Sequence, residues 1–586
     1  MDETRHAEEC RFTTHDGVEL FYRHWPATAQ PRRGGVILLH RGHEHSGRMA
    51  HLVDGLNLPD FDFFAWDARG HGLSPGERGY SPGIGESVRD VQTFADHIAQ
   101  AHGIAPQDLA VVAQSVGAVL AAAWAHDYAP KVRCMVLASP AFRVKLYAPL
   151  AIPALRLWQA LRGNFFVSSY VKSRLLTRDP ERQRSYDGDP LITRAISVNI
   201  LLGLYEAAER VVADAQASVV PTQVLISGQD WVVHLGPQHD YFENLGATAK
   251  ERHVLANFFH DTFGELHRQL AVDKARDFIL RLFDAPPVRV ELGDADRRGP
   301  TRREADALAR PLPLFSLRGL YWASARLVLR SVGRLSGGVR LGHEAGFDSG
   351  ATLDYVYRNT SSGWGFVGRL IDRSYLDAIG WCGIRRRKQH LEELLRRAMD
   401  ALATAGRPLR VLDVAAGHGR YVLEALSGCA HRPESILLRD FSASNVRDGS
   451  ALIREKGLEN IARFEAGDAF DAESLAAIRP RPTVGIVSGL YELFPDNDRV
   501  RRSLAGLAAA IEPGGYLIYT GQPWHPQLEF IARVLTSHRD GQPWVMRRRS
   551  QAEMDQLVED AGFVKLEQRI DPWGIFTVSL ARRLAE

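Results

Sequence analysis

Short apolar runs, each followed by a turn and a helical pattern, recur in two blocks of this chain, and that alternation most narrows what it can fold into. In the first block the runs are GGVILLH, FDFFAWD, LAVVAQS, VRCMVLASP and PTQVLISG. From residue 408 they are LRVLDVAAGHG, SILLRDFS, IARFEAGDA, TVGIVSG, GGYLIYTG and IFTVSLARR. Continuous apolar runs read as strands covered on both faces, as in parallel sheets flanked by helices. The expectation is an α/β chain with two doubly wound sheets. No internal repeat relates the blocks, and 586 residues exceed one ordinary core.

The first domain is expected over residues 1–285. A mostly helical insertion over about 141–215 would lie as a lid over the C-terminal edge of its sheet. Residues 286–345 read as a linker carrying an amphipathic helix, because GDADRRGPTRREADALARPLPLF mixes charge, Gly and Pro. The second domain is expected over 346–586, opening with a helical cover. Its run Arg385, Arg386, Arg387 and Lys388 reads as a solvated helix face, or as a contact for an acidic substrate.

Lys plus Arg number 72 and Asp plus Glu 70, so no global field draws nucleic acid, and no such partner is expected. Cys10, Cys134, Cys382 and Cys429 show no C-x-x-C pair; they read as reduced thiols, three of them in cores, and no metal is expected. MDETRHAEECRF has no apolar h-region, and no long uninterrupted apolar window follows, so residence in the cytoplasm is expected. The oligomeric state is not legible.

In VVAQSVGAVLAAAWAHDY, Ser115 stands between a strand and an alanine-rich helix. A nucleophile elbow requires small residues two before and two after the serine, and Ala113 and Gly117 meet that condition. Serine needs a base, and the base an orienting acid. Asp230, just past the strand in LISGQDWVVH, and His260 in NFFHDTFGE supply these in the chain order Ser, Asp, His. His40, His45, His234 and His267 are rivals, His40 reading as structural. Gly42 and Val116 would give the backbone N–H groups for an oxyanion. Together HRGHEHSGRM, DARGHGLSPGERGY, the elbow, DGDPL and the Asp/His pair resemble the lysophospholipase and monoacylglycerol-lipase branch of the α/β-hydrolases, a serine aminopeptidase-like branch, over about residues 10–283. The chain departs from that pattern at His40-Arg41, where His-Gly is usual, and at Ala113-Gln114-Ser115, where Gly-His-Ser is usual. Arg41 would then be solvated, or reach an anionic head group. The resemblance implies hydrolysis of a carboxylic ester, of a monoacyl lipid or lysophospholipid, with Phe165, Phe166, Leu175 and Leu176 along an acyl groove. Acyl transfer, peptide cleavage and a non-catalytic lipid-binding role stay open.

In VLDVAAGHGRYVLEAL a strand runs through a small-residue loop, carrying Asp413, Ala415, Gly417 and Gly419, into a helix. Asp440 ends the next strand, where a carboxylate can accept from ribose hydroxyls, and Asp468 ends the third beside an adenine position. With IEPGGYLIYTGQ, this set resembles the class I methyltransferases that use S-adenosyl-L-methionine (SAM); a nicotinamide fold is disfavoured because the loop lacks G-x-G-x-x-G. Tyr491, Glu492 and His525 lie on the expected acceptor side, for an unidentified small-molecule or lipid acceptor. The domain order is similar to a bacterial family that fuses the two enzymes. In SLRGLYWASARLVLRSVGRL, residues 316–335, Tyr321, Val328, Val332 and Leu335 share one helix face and Arg326, Arg330 and Arg334 the opposite one. Packing between domains explains that pattern, as does peripheral membrane contact.

Overall fold

The computed structural model describes residues 5–146, 150–313, 315–427, 429–539 and 541–585. The chain divides into two compact units, Met1–Val290 and Glu291–Glu586. Both are α/β. Among the described residues no helix is long and apolar enough to cross a membrane.

The first unit contains β1 (Glu8–Thr13), β2 (Glu19–Trp25), β3 (Gly34–Leu39), β4 (Phe61–Trp66), β5 (Leu109–Gln114), β6 (Cys134–Ala138), a lid hairpin of β7 (Phe166–Ser168) and β8 (Ala195–Ser197), then β9 (Thr222–Ser227) and β10 (Lys250–Leu255). Its sheet runs β1-β2-β4-β3-β5-β6-β9-β10. The pairs from β4 to β10 are parallel, and β1 and β2 are antiparallel additions. Every residue of β3, β4, β5, β6 and β9 is buried, which is why these strands are continuous apolar runs. Each fully buried Val, Leu, Ile or Phe side chain there is worth about 1.5–3 kcal/mol. The lid contains the helices Ala151–Arg162, Ser173–Leu176, Pro180–Gly188 and Val198–Ala213 as well as that hairpin.

The second unit contains β11 (Arg410–Val414), β12 (Ser435–Asp440), β13 (Ala462–Ala466), β14 (Val484–Val487), β15 (Tyr516–Gly521), β16 (Phe563–Ile570) and β17 (Thr577–Arg583), ordered β13-β12-β11-β14-β15-β17-β16. The pairs from β13 to β15 are parallel, and β17 inserts antiparallel between β15 and β16. Strand order reverses between β11 and β14, so the loop after β11 opens into the crevice where open α/β sheets bind ligands.

The stretch expected as a linker is not one. The unit boundary falls after Val290 rather than 285, and residues 291–345 fold with the second unit. Its helices include Pro300–Ala309, Leu317–Arg330 and Gly337–Ala345. Thr301, Ala305 and Leu308 are buried at helical spacing, Leu308 joins a core with Phe347 and Val339, and Glu304 pairs with Arg548 at 2.6 Å. The charged residues between those apolar positions conceal the helical period in the sequence. Cys134 alone of the four thiols is fully buried, and the other three are half-buried.

Candidate active sites

In the first unit, β5 delivers Ser115 at φ +55° and the helix Val116–Tyr128 starts immediately after it. A non-glycine residue held at positive φ is the strained turn that an elbow needs. A Cβ on Gly117 would lie 2.6 Å from the carbonyl oxygens of Leu39 and His40, so only glycine lets the helix sit this close to β3. Ala113 lies within β5, opposite Leu39 and Leu137, and its methyl is fully buried. That strand position tolerates alanine.

Ser115 Oγ is 2.8 Å from His260 Nε2, and His260 Nδ1 is 2.7 Å from Asp230 Oδ2. A carboxylate only accepts, so Nδ1–H donates to Asp230 and, in the neutral ring, Nε2 accepts from the serine hydroxyl. The other oxygen of Asp230 accepts from the N–H groups of Val232 and Val233 at 2.7 and 2.9 Å, which fixes the carboxylate. Gly42 meets Val116 closely: a Cβ there would be 3.1 Å from the valine Cγ2. As the first helical residue, Val116 has an N–H without an intrahelical acceptor. Of the rival histidines, His40 bonds the Arg41 carbonyl and accepts from Ala68 N–H, His45 pairs with Asp189, and His234 and His267 are exposed.

The two departures from the hydrolase pattern meet in one place. Arg41 is not solvated: it is buried, bonded to both oxygens of Glu44 at 2.7 and 2.9 Å, and 3.4 Å from Asp261, while also lining the cavity above Ser115. Gln114 donates to the carbonyl of His260 at 3.1 Å and to Asp261 at 3.2 Å, and Arg182 reaches Asp261 at 3.3 Å. Burial by itself would raise the Asp261 carboxyl, but Arg41 and Arg182 hold it below the usual carboxylate range. Asp261, Arg41 and Gln114 thus clamp the loop that carries His260. The residues are visible in the sequence, but nothing there pairs positions 41 and 114 with 261.

Above the serine lies a cavity of about 680 Å³. Ser115, His260, Gly42 and Val116 form its floor, and lid residues including Leu155, Trp158, Phe165 and Leu204 form its walls. Leu176 also lines it, whereas Phe166 and Leu175 lie outside the lining. No Asp or Glu lines it among the described residues. Elsewhere in this unit, His24, Asp62 and His102 approach one another, as do His15, Asp16 and Glu86. Arg32 donates to Asp62 and Arg69 to Asp16, so a carboxylate in each group already has a cationic partner.

In the second unit the loop after β11 has Ala415, Gly417 and Gly419 at φ +56°, +58° and +68°. Asp440 accepts from Gly417 N–H at 2.9 Å, Ser442 N–H at 2.9 Å and Asn445 Nδ2 at 3.0 Å, which places the end of β12 against the glycine loop. A Cβ on Gly417 would be 3.6 Å from Gly350 Cα, so the start of the Gly350–Arg358 helix covers this loop. Asp413 is fully buried; one oxygen accepts from Tyr421 at 2.6 Å and the other, Oδ1, has no partner among the described residues. Burial, with Asp440 adding to it, holds the Asp413 carboxyl well above its ordinary value. Asp468 is exposed at the end of β13, its carboxylate accepting from Phe470 N–H. Phe441, next to Asp440, is 83% exposed and offers a flat apolar face at the mouth of this crevice. Its sequence signal is an aromatic directly after the strand-ending acid.

The three acceptor-side residues part company. Tyr491 is buried with its hydroxyl on Ser503 at 2.9 Å, inside the core rather than facing a substrate. Glu492 is buried 3.4 Å from Arg387, whose guanidinium lies over the Phe576 ring. His525 is buried beside Gly380 and Phe576, and its Nδ1 accepts from Gln527 N–H at 3.0 Å. Burial pushes its pKa down to about 4, so the ring is neutral with a proton on Nε2. The basic run is not a solvated face either: Arg387 is buried, Arg385 bonds the Leu376 carbonyl, Lys388 pairs with Glu392 and Glu424, and Arg386 is exposed.

Two family models match the two units. The one described as "Putative methyltransferase" matches residues 275–583, and the one described as "Serine aminopeptidase, S33" matches residues 30–267. The chain belongs to this methyltransferase family, with an α/β-hydrolase domain ahead of the methyltransferase domain. Over all 586 residues, and the whole of both chains, it is 55% identical to "Uncharacterized protein YnbC" of Escherichia coli (strain K12). The hydrolase part is 24% identical over 274 residues to a monoacylglycerol lipase of Mycolicibacterium smegmatis, 46% of this chain and 96% of that protein. It is 28% identical over 260 residues to the monoglyceride lipase of Homo sapiens, 44% of this chain and 82% of that protein.

Proposed function

We propose that the first unit hydrolyses the carboxylic ester of a monoacyl lipid or lysophospholipid. The observation that carries this reading is the unbroken relay from Ser115 through His260 to Asp230, opening on an apolar cavity. Ser115 Oγ attacks the acyl carbonyl while His260 Nε2 takes its proton. The N–H groups of Gly42 and Val116 hold the oxyanion, and Asp230 stabilises the imidazolium. His260 then protonates the leaving alcohol, and water releases the acyl group from the serine by the reverse path. The cavity lies in the usual ligand range, and its lid walls suit an acyl chain. The lipase names of the relatives agree with this. Among the described residues no carboxylate lines the cavity, which disfavours an aminopeptidase, since that needs a partner for the substrate ammonium. A fluorophosphonate probe should label Ser115, and Ser115→Ala should abolish labelling and lower kcat by about a thousandfold or more at unchanged fold. Turnover of aminoacyl amides in preference to monoacylglycerols and lysophospholipids would overturn the ester assignment.

For the second unit we propose methyl transfer from SAM to a small-molecule or lipid acceptor. SAM, when bound, supplies an electrophilic methyl on a sulfonium. The residues present fit it: Asp440 has acceptor capacity left for ribose hydroxyls, Phe441 and Asp468, after the neighbouring strands β12 and β13, would hold an adenine, and Asp413 Oδ1, without a partner among the described residues, suits a cationic group. The loop with Gly417 and Gly419 lets backbone approach the ligand closely. Positioning dominates such transfers, and His525 Nε2–H and the Arg387–Glu492 pair are the polar groups that would orient an acceptor. Calorimetry with S-adenosylhomocysteine tests the site: Asp440→Ala should weaken binding at least tenfold, the scale of one lost charge-assisted hydrogen bond. Unchanged affinity would remove Asp440 from it.

A further inference from the structure

The helix Leu317–Arg330 of the second unit is apolar on two faces. On one, Trp322, Ala325 and Leu329 pack onto the core, and Trp322 also bonds Glu529. On the other, Phe315 and Leu317 are 94% and 88% exposed, and Leu320, Tyr321, Leu327, Val328 and, one turn on, Val332 are each more than half exposed. The helix Gly365–Leu376 is tied to the end of this segment by Trp364 N–H to the Leu335 carbonyl at 2.9 Å. It buries Gly368, Asp372 and Leu376 and exposes Trp364, Phe366, Val367 and Leu370, the first two at 80% and 77%. Soluble proteins seldom leave so much aromatic and aliphatic surface uncovered without a partner.

Charge selects the partner. Residues 315–340 contain Arg318, Arg326, Arg330, Arg334 and Arg340 and no Asp or Glu, and Arg369 adds to them from the second helix. Asp372, the acid within that second helix, is buried and accepts from Ser336, Gly338 and Ser362. Arg318 pairs with Glu529 at 2.7 Å, so a second copy meeting this face across a two-fold axis would set the other arginines against one another with that carboxylate already engaged. A polyanion would use the arginines but leave the apolar side chains in water. An anionic bilayer takes both: aromatic and aliphatic groups enter below the headgroups while guanidinium groups stay at the phosphates.

We infer that the helices Leu317–Arg330 and Gly365–Leu376 dock the methyltransferase unit on an anionic lipid surface. The inference rests on neither catalytic assignment, and Ser115→Ala and Asp440→Ala should bind lipid as the parent protein does. The test is sedimentation of the full chain with phosphatidylcholine vesicles, with and without phosphatidylglycerol. The expected result is binding only to the phosphatidylglycerol vesicles, weakening as salt rises. Arg330→Gln with Arg334→Gln should lower the partition coefficient by roughly 30-fold, about fivefold more than one arginine alone. Phe315→Ser, Leu317→Ser, Trp364→Ser and Phe366→Ser combined should abolish binding with the melting temperature unchanged, since these side chains are exposed. Equal binding to both vesicle types, no binding, or variants that bind like the parent would overturn the inference. So would a parent dimer in sedimentation equilibrium that the combined variant converts to monomer.

Discussion

At the scale of single residues, the clamp on the His260 loop separates this chain from the hydrolase pattern it otherwise resembles. Asp261 titrates lower in the folded chain than in the unfolded one. Its stabilisation is therefore complete above the unfolded value near 3.8 and is lost as pH falls through the folded value. Asp261→Asn should lower the unfolding free energy of the first unit by about 3 kcal/mol at neutral pH, because it leaves the buried Arg41 and the half-buried Arg182 with less counter-charge. The gap to the parent should close below pH 3.8, as denaturant titrations across pH will show. Gln114→Ala removes two buried hydrogen bonds to the same loop and should lower kcat/KM about tenfold with Ser115 still labelled by the probe. Ser115, Asp230 and His260 are legible from residue type, order and loop context. Gln114 and Arg41 read as departures, and their use is invisible because their partner lies more than a hundred residues away.

At the scale of elements, two strained turns hold the two candidate sites. Gly117→Ala would press a methyl against two backbone carbonyls of the β3 end, which cannot swing aside as a side chain can. It should destabilise the first unit by about 1–3 kcal/mol and abolish hydrolysis. Ala415 sits at φ +56°, where alanine is strained and glycine is not. Ala415→Gly should stabilise the second unit by up to about 1 kcal/mol in thermal unfolding, and a loss of stability would show that its methyl contributes packing of its own. The doubly buried strands are plain in the sequence, but β1, β2, β10 and β16 are not. β1 and β16 largely alternate exposed and covered residues and β10 is mostly half-buried, all three at sheet edges, so no continuous apolar run marks them. The helix Pro300–Ala309 is hidden likewise, because its buried stripe is thin and Pro and Arg dominate the surrounding composition.

At the scale of the whole molecule, the chain joins two units with separate sheets and separate crevices. Ester hydrolysis should survive Asp440→Ala, and S-adenosylhomocysteine affinity should survive Ser115→Ala; a change of more than about threefold in either would show coupling between the sites. What the sequence determines by itself is whatever is encoded within a dozen consecutive residues: the strand-turn-helix of the serine elbow, the glycine loop after β11, and the αβ alternation that fixes the class of both sheets. Steric limits on φ and the periodicity of burial write these locally. The tertiary structure alone decides which charges face each other, as with Arg41, Gln114 and Asp261. It decides that Tyr491 points into the core and not toward a ligand, and that residues 291–345 are part of the second unit. Those outcomes depend on contacts between distant segments, where the free energy of pairing a buried charge or covering an apolar stripe belongs to both partners and is written in neither.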